Sequence, residues 1–249
     1  MKICIVSTDK RYIKVNELLL QRGYDSFIYS YEEKCACDCL LLSVKKELSE
    51  AQLTQLFDGV NEHTLVLCGN SEQISRFFKG KIIDYGKEEK FLIANAQLTA
   101  EATLPYLYEL SGESVEGKNI FVVGYGRIGK ILCKILKGMG ANVSSYARRA
   151  NVIEQMYKDG ITYADLNSSC TSDIVLNTVP YNIFSEEAIR QIPSEAYIVD
   201  LASPPYGFSD MSRVHIASGL PGKYLTNSAS KAVFDTICDL LPLNGTEDI

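Results

Sequence analysis

The chain has 249 residues, of which 46% are hydrophobic and 22% charged. This composition is typical of a folded globular protein and excludes a low-complexity or disordered chain. The net charge of -6 provides no basic surface and argues against general nucleic-acid binding. The apolar run at residues 1–6 is too short for a secretion signal or a membrane span, which predicts a cytoplasmic protein without membrane attachment.

Eight cysteines in a chain without a secretion signal predict reduced thiols. Three of them fall within residues 35–39, a spacing that also occurs in metal sites. No second cysteine pair or nearby histidine completes a set of four ligands. The sequence therefore favours free thiols that lead into a buried strand, and no metal.

In the first part of the chain, short apolar runs alternate with helical patterns, which predicts an α/β unit with a parallel sheet. A helix is expected over residues 11–22 with Val15, Leu18 and Leu19 facing inward. The predicted strands are residues 2–6, 25–30, 39–44 and 64–68. This pattern indicates a small flavodoxin-like or Rossmann-like unit.

A connecting helix is predicted over residues 98–111, because Leu104, Leu107 and Leu110 have helical spacing. The second part of the chain should form another parallel sheet, with a helix over 128–139 inside it. A final helix over 229–241 is expected to pack back on the first domain. The predicted strands of this part are residues 119–123, 142–146, 173–178, 196–200, 213–217 and 222–225.

The expected fold class is thus α/β, with two Rossmann-like or flavodoxin-like domains built on parallel sheets. Residues 1–97 would form a substrate-side domain, on which the C-terminal segment 228–249 packs. Residues 98–227 would form the dinucleotide-binding Rossmann domain, including the connecting helix.

The strand predicted at 119–123 runs directly into a glycine motif. Gly124 permits a tight turn, Gly126 lets the backbone approach a pyrophosphate, and Gly129 lets the helix and the strand pack closely. The helix that follows directs its N-terminal amides at negative charge. This context indicates a dinucleotide site made by Gly124, Tyr125, Gly126, Arg127, Ile128 and Gly129.

The strand predicted at 142–146 distinguishes NADP from NAD. An NAD site usually places a carboxylate at the end of this strand, where it binds the ribose hydroxyls. Here the strand leads into Arg148 and Arg149, whose guanidinium groups are suited to a 2′-phosphate. NADP is therefore the expected cofactor, with NAD as the alternative; two solvated loop arginines would be the purely structural interpretation.

Three further segments follow predicted strands and should face the nicotinamide half of the cofactor, because ligands of open α/β sheets lie outside the carboxyl ends of the strands. Asn177 and Asp200 have an alternative role in fixing turns. The residues expected near the cofactor are Asn177, Thr178, Val179, Pro180, Leu201, Ala202, Ser203, Gly219 and Pro221.

Several short motifs, in this order along the chain, resemble the dipicolinate synthase A family, the A subunits of a sporulation enzyme. The first part contributes Asp9, Arg11 and the stretch 95–101, and the second part contributes the glycine motif with the segments 177–180, 200–203 and 219–222. More distantly, the second half resembles the cofactor domain of D-2-hydroxyacid dehydrogenases.

The resemblance implies NADP-dependent oxidation of dihydrodipicolinate, or of its hydrated precursor, to dipicolinate, together with a B-type partner subunit. It places Asn95, Thr99 and Glu101 at an interdomain cleft, with Glu101 as the proton acceptor. A first-turn carboxylate that stabilises its helix is the alternative for Glu101. The substrate would meet Asp9, Arg11, Gly222 and Lys223.

The chain departs from the family at two expected cations, since Pro204 replaces an arginine and Asn227 a lysine. Both changes weaken the site for a dianion. A cofactor-binding regulatory or assembly subunit without catalysis is therefore one alternative. A 2-hydroxyacid dehydrogenase is another, although it needs a histidine base and the chain has only His63 and His215. A homo-oligomer is also expected.

Overall fold

The structure is a computed structural model that describes residues 1–30, 35–44 and 48–242. Two compact units can be distinguished within the chain. Unit 1 comprises Met1–Asn95 together with the chain from Leu225 onward, and unit 2 comprises Ala96–Tyr224. Within the described ranges, no helix is long and apolar enough to cross a membrane.

Unit 1 is built on a five-stranded parallel sheet with the strand order β2-β1-β3-β4-β5, which is the flavodoxin-like order. Its strands are β1 (Lys2–Val6), β2 (Asp25–Ile28), β3 (Cys39–Leu42), β4 (Leu65–Cys68) and β5 (Ile82–Asp84). Its helices are α1 (Lys10–Gln21), α2 (Glu50–Asp58), α3 (Ser71–Ile74) and the start of α4 (Glu89–Ser111).

The sheet of unit 1 is covered on both faces, because alternate residues of each strand point to opposite sides. One face packs against α1 and against the C-terminal helix Thr226–Leu240, through Val15, Leu19, Val233 and Ile237. The other face packs against α2 and α3. The last helix of the chain therefore completes the core of the first unit.

Unit 2 is built on a six-stranded parallel sheet. Its strands are β6 (Asn119–Val123), β7 (Asn142–Tyr146), β8 (Thr162–Tyr163), β9 (Ile174–Asn177), β10 (Tyr197–Asp200) and β11 (Val214–Ile216). Their order, β11-β10-β9-β6-β7-β8, is the Rossmann order 6-5-4-1-2-3 when counted from β6. The helices are α5 (Arg127–Gly138), α6 (Ala150–Lys158), α7 (Glu186–Gln191) and α8 (Leu220–Tyr224), and the C-terminal helix of unit 1 is α9. The predicted fold class is confirmed.

Three features differ from the sequence prediction. Residues 222–225, predicted as a strand, lie largely in α8, where Pro221 occupies the first turn, a position that suits proline. The connecting helix begins at Glu89 rather than at residue 98, because leucine spacing marks only its second half. The elements α2, α3, β5, α6, α7 and β8 were not predicted, since most are short or half-exposed and give weak periodic signals.

Candidate functional site

The glycine loop after β6 has the geometry that its sequence predicts. Gly124 has a φ of 98°, and a side chain there would lie 2.6 Å from Thr178 Oγ1 and from Val179 Cγ2. A Cβ at Gly129 would overlap the carbonyl oxygen of Gly124, so α5 packs directly on the loop. The first and last glycines are therefore required by the fold itself.

Gly126 differs from these two, because a Cβ built on it meets nothing within 4 Å. It is the N-cap residue of α5, and as a glycine it offers no side chain to cap the helix amides. Open space in front of the first amides of a helix is the arrangement that receives a pyrophosphate. The loop thus fits a dinucleotide, with the amides at the start of α5, from Arg127 and Ile128 onward, as the groups that would hold the phosphates.

Tyr125, between the first two glycines, is held in place by a carboxylate at the end of α6. Its hydroxyl donates a 2.9 Å hydrogen bond to Asp159, the C-cap residue of α6. Lys130 and Lys134 of α5 each reach the same carboxylate at 3.2 Å. Burial alone would raise the pKa of Asp159, but these hydrogen bonds outweigh it and lower the pKa to about 2. No local pattern in the sequence identifies Asp159, because only the fold brings α6 against the loop.

In the sheet, β7 neighbours β6, the strand that leads into the glycine loop. Arg148 and Arg149 lie just past the end of β7, and both side chains are exposed. Arg149 is the N-cap residue of α6. Arg148 stacks over the ring of Tyr181, with 5.6 Å from the guanidinium carbon to the ring centroid. No carboxylate ends β7, so this corner of the sheet offers two cations and one aromatic face.

The segment after β9 is held by a buried polar network. Asn177 donates to the Asp200 carboxylate at 3.0 Å and to the Val179 carbonyl at 2.9 Å. Asp200 also accepts from the amides of Ala202 at 2.8 Å and Gly207 at 2.7 Å. Burial raises the pKa of Asp200 above its ordinary value, and these hydrogen bonds offset only part of the rise.

The network fixes the loop conformations after β9 and β10. Both donors of the Asn177 amide are used within the protein, so the side chain performs the turn-fixing role that the sequence left open. Thr178 donates to the Val123 carbonyl at 2.9 Å and lies against Gly124. Val179 and Pro180 follow Thr178, beyond the carboxyl end of β9.

After β10, Leu201 and Ala202 are buried and Ser203 is exposed. The third segment begins at Gly219, with a φ of 67°, and turns directly into α8, where Leu220 and Pro221 are buried. These segments belong to the strands β10 and β11. All three segments therefore leave the carboxyl edge of the unit 2 sheet, where ligands of this fold bind.

The candidate catalytic residues lie in α4, and Glu101 is in its interior rather than in its first turn. The carboxylate of Glu101 is exposed and accepts a 2.6 Å hydrogen bond from Gln97, one helical turn earlier. Thr99 is 7% exposed and lies two residues away from Glu101. Residues two apart on a helix point in different directions, so the structure does not bring Thr99 and Glu101 together, whereas Asn95 and Thr99 share a face.

Both candidate substrate cations already have carboxylate partners. Arg11 is 4% exposed and binds Asp9, the N-cap residue of α1, at 2.7 Å in unit 1. In unit 2, Lys223 binds both oxygens of Glu109 at 3.0 and 2.9 Å and contacts Tyr224. Hydrogen bonds from Tyr224 and Glu109 raise the pKa of Lys223. Gly222 lies beside Lys223 in α8.

Neither histidine has the surroundings of a catalytic base. His63 lies in the turn before β4, at the edge opposite to the carboxyl ends of the strands, and its side chain is 87% exposed. His215 is an exposed residue of the edge strand β11, 6.5 Å from the ring of Tyr197.

Residues 91–204 match the family model of the D-isomer specific 2-hydroxyacid dehydrogenase NAD-binding domain. The chain carries an NAD-binding domain of this type. The match indicates the NAD-dependent dehydrogenase type of oxidoreductase, with a nicotinamide dinucleotide as its cofactor.

The whole chain is also similar to the A subunit of dipicolinate synthase from Bacillus subtilis (strain 168), with 22% identity over 97% of this chain and 96% of that protein. The crystal structure of the corresponding A subunit from Bacillus halodurans has a TM-score of 0.82 and 18% identity, covering 96% of this chain and 97% of that one. Salmonella D-lactate dehydrogenase has a TM-score of 0.64 and 14% identity, covering 100% of this chain and 98% of that one. The structural matches show the shared fold, and the resemblance that the short motifs predict is confirmed.

Proposed function

We propose that the chain is an NADP-dependent oxidoreductase of the dipicolinate synthase A type, which oxidises dihydrodipicolinate or its hydrated precursor to dipicolinate. The observation that carries this proposal is the extent of the similarity. It covers 97% of this chain and 96% of the Bacillus subtilis protein. A shared NAD-binding domain alone would match only the second unit.

The choice of NADP over NAD rests on the corner after β7. Arg148 and Arg149 are exposed there, no carboxylate ends the strand, and the guanidinium group of Arg148 lies over the ring of Tyr181. A charge-assisted contact with a 2′-phosphate contributes about 1.5–3 kcal/mol, so NADPH should bind at least roughly tenfold more tightly than NADH.

The double variant Arg148→Ala, Arg149→Ala tests this preference by calorimetric titration with both cofactors. NADPH affinity should fall to that of NADH, while NADH affinity stays nearly constant. Arg190→Ala is the matched control, because Arg190 is an exposed arginine of the same unit whose partner is Glu186. An unchanged ratio of NADPH affinity to NADH affinity in the double variant would mean that these arginines are solvated surface residues without a role in cofactor choice.

The residues of the chain mainly bind and orient, because the hydride chemistry belongs to the nicotinamide. The loop at Gly126 would hold the pyrophosphate, and the Asn177–Asp200 network keeps the adjoining loops in place. We assign Glu101 as the acceptor of the proton that leaves the ring together with the hydride. Its hydrogen bond from Gln97 orients the carboxylate, and its exposure lets the proton pass on to water.

Thr99 and Glu101 lie on different faces of α4, so variants at these two positions should affect kcat differently. Glu101→Gln should lower kcat by about 100-fold or more, the contribution typical of a general base. Thr99→Ser, which retains the hydroxyl, should leave kcat close to that of the unaltered chain. A Glu101→Gln variant with full activity would eliminate the carboxylate as the acceptor.

Dipicolinate is a dianion, and desolvating its carboxylates without cationic partners is costly. Arg11 and Lys223 are each neutralised by an internal carboxylate. We therefore propose weak substrate binding by the isolated chain, strengthened by a B-type partner subunit. The same observation favours the second candidate function, a cofactor-binding regulatory or assembly subunit without its own catalysis.

Turnover of dihydrodipicolinate with NADP, measured with and without a B-type partner, separates the two functions. An enzyme converts the substrate in at least one of these assays. A regulatory subunit binds NADPH, converts nothing in either assay and alters the activity of its partner. Tight dipicolinate binding by the isolated chain that survives Arg11→Ala would contradict the proposed weak binding.

A further inference from the structure

Unit 1, which does not contain the dinucleotide loop, holds a cluster of three cysteine thiols. Cys4 lies in β1, and Cys35 and Cys37 lie in the segment that leads into β3. The three Sγ atoms all lie within 4.8 Å of one another, and those of Cys35 and Cys37 are 3.6 Å apart. Within the described part of the chain, no other group of three histidine, cysteine or acidic residues converges in this way.

Two segments distant in sequence create this cluster. β1 and β3 are neighbours in the sheet, with Cys4 opposite Leu40. The Asp38 amide bonds to the Lys2 carbonyl at 2.9 Å, which fixes the segment before β3 alongside the start of β1. Cys4 and Cys35 then enter the same face of the core. The sequence alone favoured free thiols because it did not show that Cys4 joins the pair.

The spacing of the sulfur atoms suits a thiophilic metal ion. A tetrahedral zinc site with Zn–S bonds of about 2.3 Å places its sulfur ligands about 3.8 Å apart. The Cys35–Cys37 separation of 3.6 Å is close to this value, and Cys4 lies within 4.8 Å of both, so small rotations of the side chains would complete three bonds. The sulfur atoms also face one another, whereas cysteines that serve only as small core residues need no such arrangement.

Access and charge support the same ligand. Cys4 and Cys35 are buried, whereas Cys37 is half-buried and opens the cluster towards the surface. The ammonium group of Lys2 interacts electrostatically with Cys35 and would offset part of the negative charge of the complex.

We propose that Cys4, Cys35 and Cys37 form a three-thiolate site for a thiophilic metal ion of the Zn²⁺ class. The fourth coordination position is left to a water molecule on the side of Cys37. Soft thiolates select such ions over Mg²⁺ or Ca²⁺, which prefer oxygen ligands.

The test uses the reduced full-length chain, titrated with Zn²⁺ in competition with a chromophoric chelator. One equivalent of Zn²⁺ should bind, and Co²⁺ in its place should give the absorption band of thiolate coordination. Cys37→Ser should weaken Zn²⁺ binding by more than the roughly 10- to 100-fold that follows loss of an outer-shell partner. Cys170→Ser is the matched control, because Cys170 is a half-buried thiol of unit 2 outside the cluster.

Cys37 is the chosen ligand because its half-buried position lets the variant fold, which circular dichroism verifies. Cys35→Ser gives a second, independent loss of affinity. Failure of the reduced chain to bind one equivalent would overturn the proposal. Equal Zn²⁺ binding by Cys37→Ser and by the unaltered chain would overturn it as well, and so would a disulfide within the cluster that forms equally fast with and without Zn²⁺.

Discussion

Among single residues, each of the three glycines of the loop is required for a different physical reason. Gly124 avoids the side chains of Thr178 and Val179 at a positive φ, and Gly129 avoids the backbone of Gly124. Gly126 avoids nothing within the protein. The absence of its side chain therefore serves the ligand rather than the fold.

We accordingly expect Gly126→Val to abolish NADPH and NADH binding while the protein stays folded, because the added carbons would fill the space of the pyrophosphate. Calorimetric titration measures the affinity, and thermal unfolding verifies the fold. Gly138→Val is the control, since a Cβ at this last residue of α5 also meets nothing within 4 Å. Undiminished cofactor affinity in folded Gly126→Val would refute the assignment of this loop to the dinucleotide.

At the scale of elements, Asp159 connects the end of α6 with α5 and with the glycine loop through Lys130, Lys134 and Tyr125. Hydrogen bonds to charged groups contribute about 1.5–3 kcal/mol when buried, and solvent reduces this at a partly exposed site. This group of contacts orients the loop backbone from the side of α6.

Asp159→Asn should lower the free energy of unfolding by about 1 kcal/mol at pH 7. The folded pKa of Asp159 lies below its ordinary value, so its contribution is present above about pH 4 and is lost as the pH falls towards 2. Urea unfolding of both proteins at several pH values should therefore show a difference that shrinks with acid. Glu154→Gln, which removes the exposed pair with Lys158 on α6, should change stability by less than about 0.5 kcal/mol at any pH. A pH-independent difference for Asp159→Asn would contradict this account.

At the scale of the whole molecule, the chain leaves unit 1 in α4, forms unit 2, and returns to unit 1 as α9. Val233 and Ile237 of α9 are buried against Val15 and Leu19 of α1. The stability of the first unit thus depends on the last helix, although most of the chain separates them in sequence.

Ile237→Ala should destabilise unit 1 by about 2–4 kcal/mol, since it removes buried methyl groups and leaves a cavity. Thermal unfolding followed by calorimetry should show a lower midpoint for a transition that involves unit 1. Ser228→Ala, an exposed position in the first turn of α9, is the control and should change the midpoint little. Equal midpoints for both variants would mean that α9 adds little to the core.

Features that neighbouring residues encode can be read directly from the sequence. Apolar runs of four or five residues marked most of the sheet strands, and their alternation with helices indicated parallel sheets. The glycine motif indicated the dinucleotide loop, because its three constraints act within six consecutive residues. Arg148 and Arg149 were found in the same way, since they directly follow a recognisable strand.

Which distant groups meet depends on the folded chain. The partners of Arg148, Asn177 and Lys223 come from other segments, and Asp159 and Cys4 acquire their roles only through packing. The start of α4 and the helical form of α8 were not predicted, because the first is weakly periodic and the second is short. Both are stabilised by the packing around them, which the local sequence does not show. The chemistry of a charged group or a thiol depends on the group beside it. That neighbour is determined by the order of the strands and by packing, which no local sequence pattern encodes.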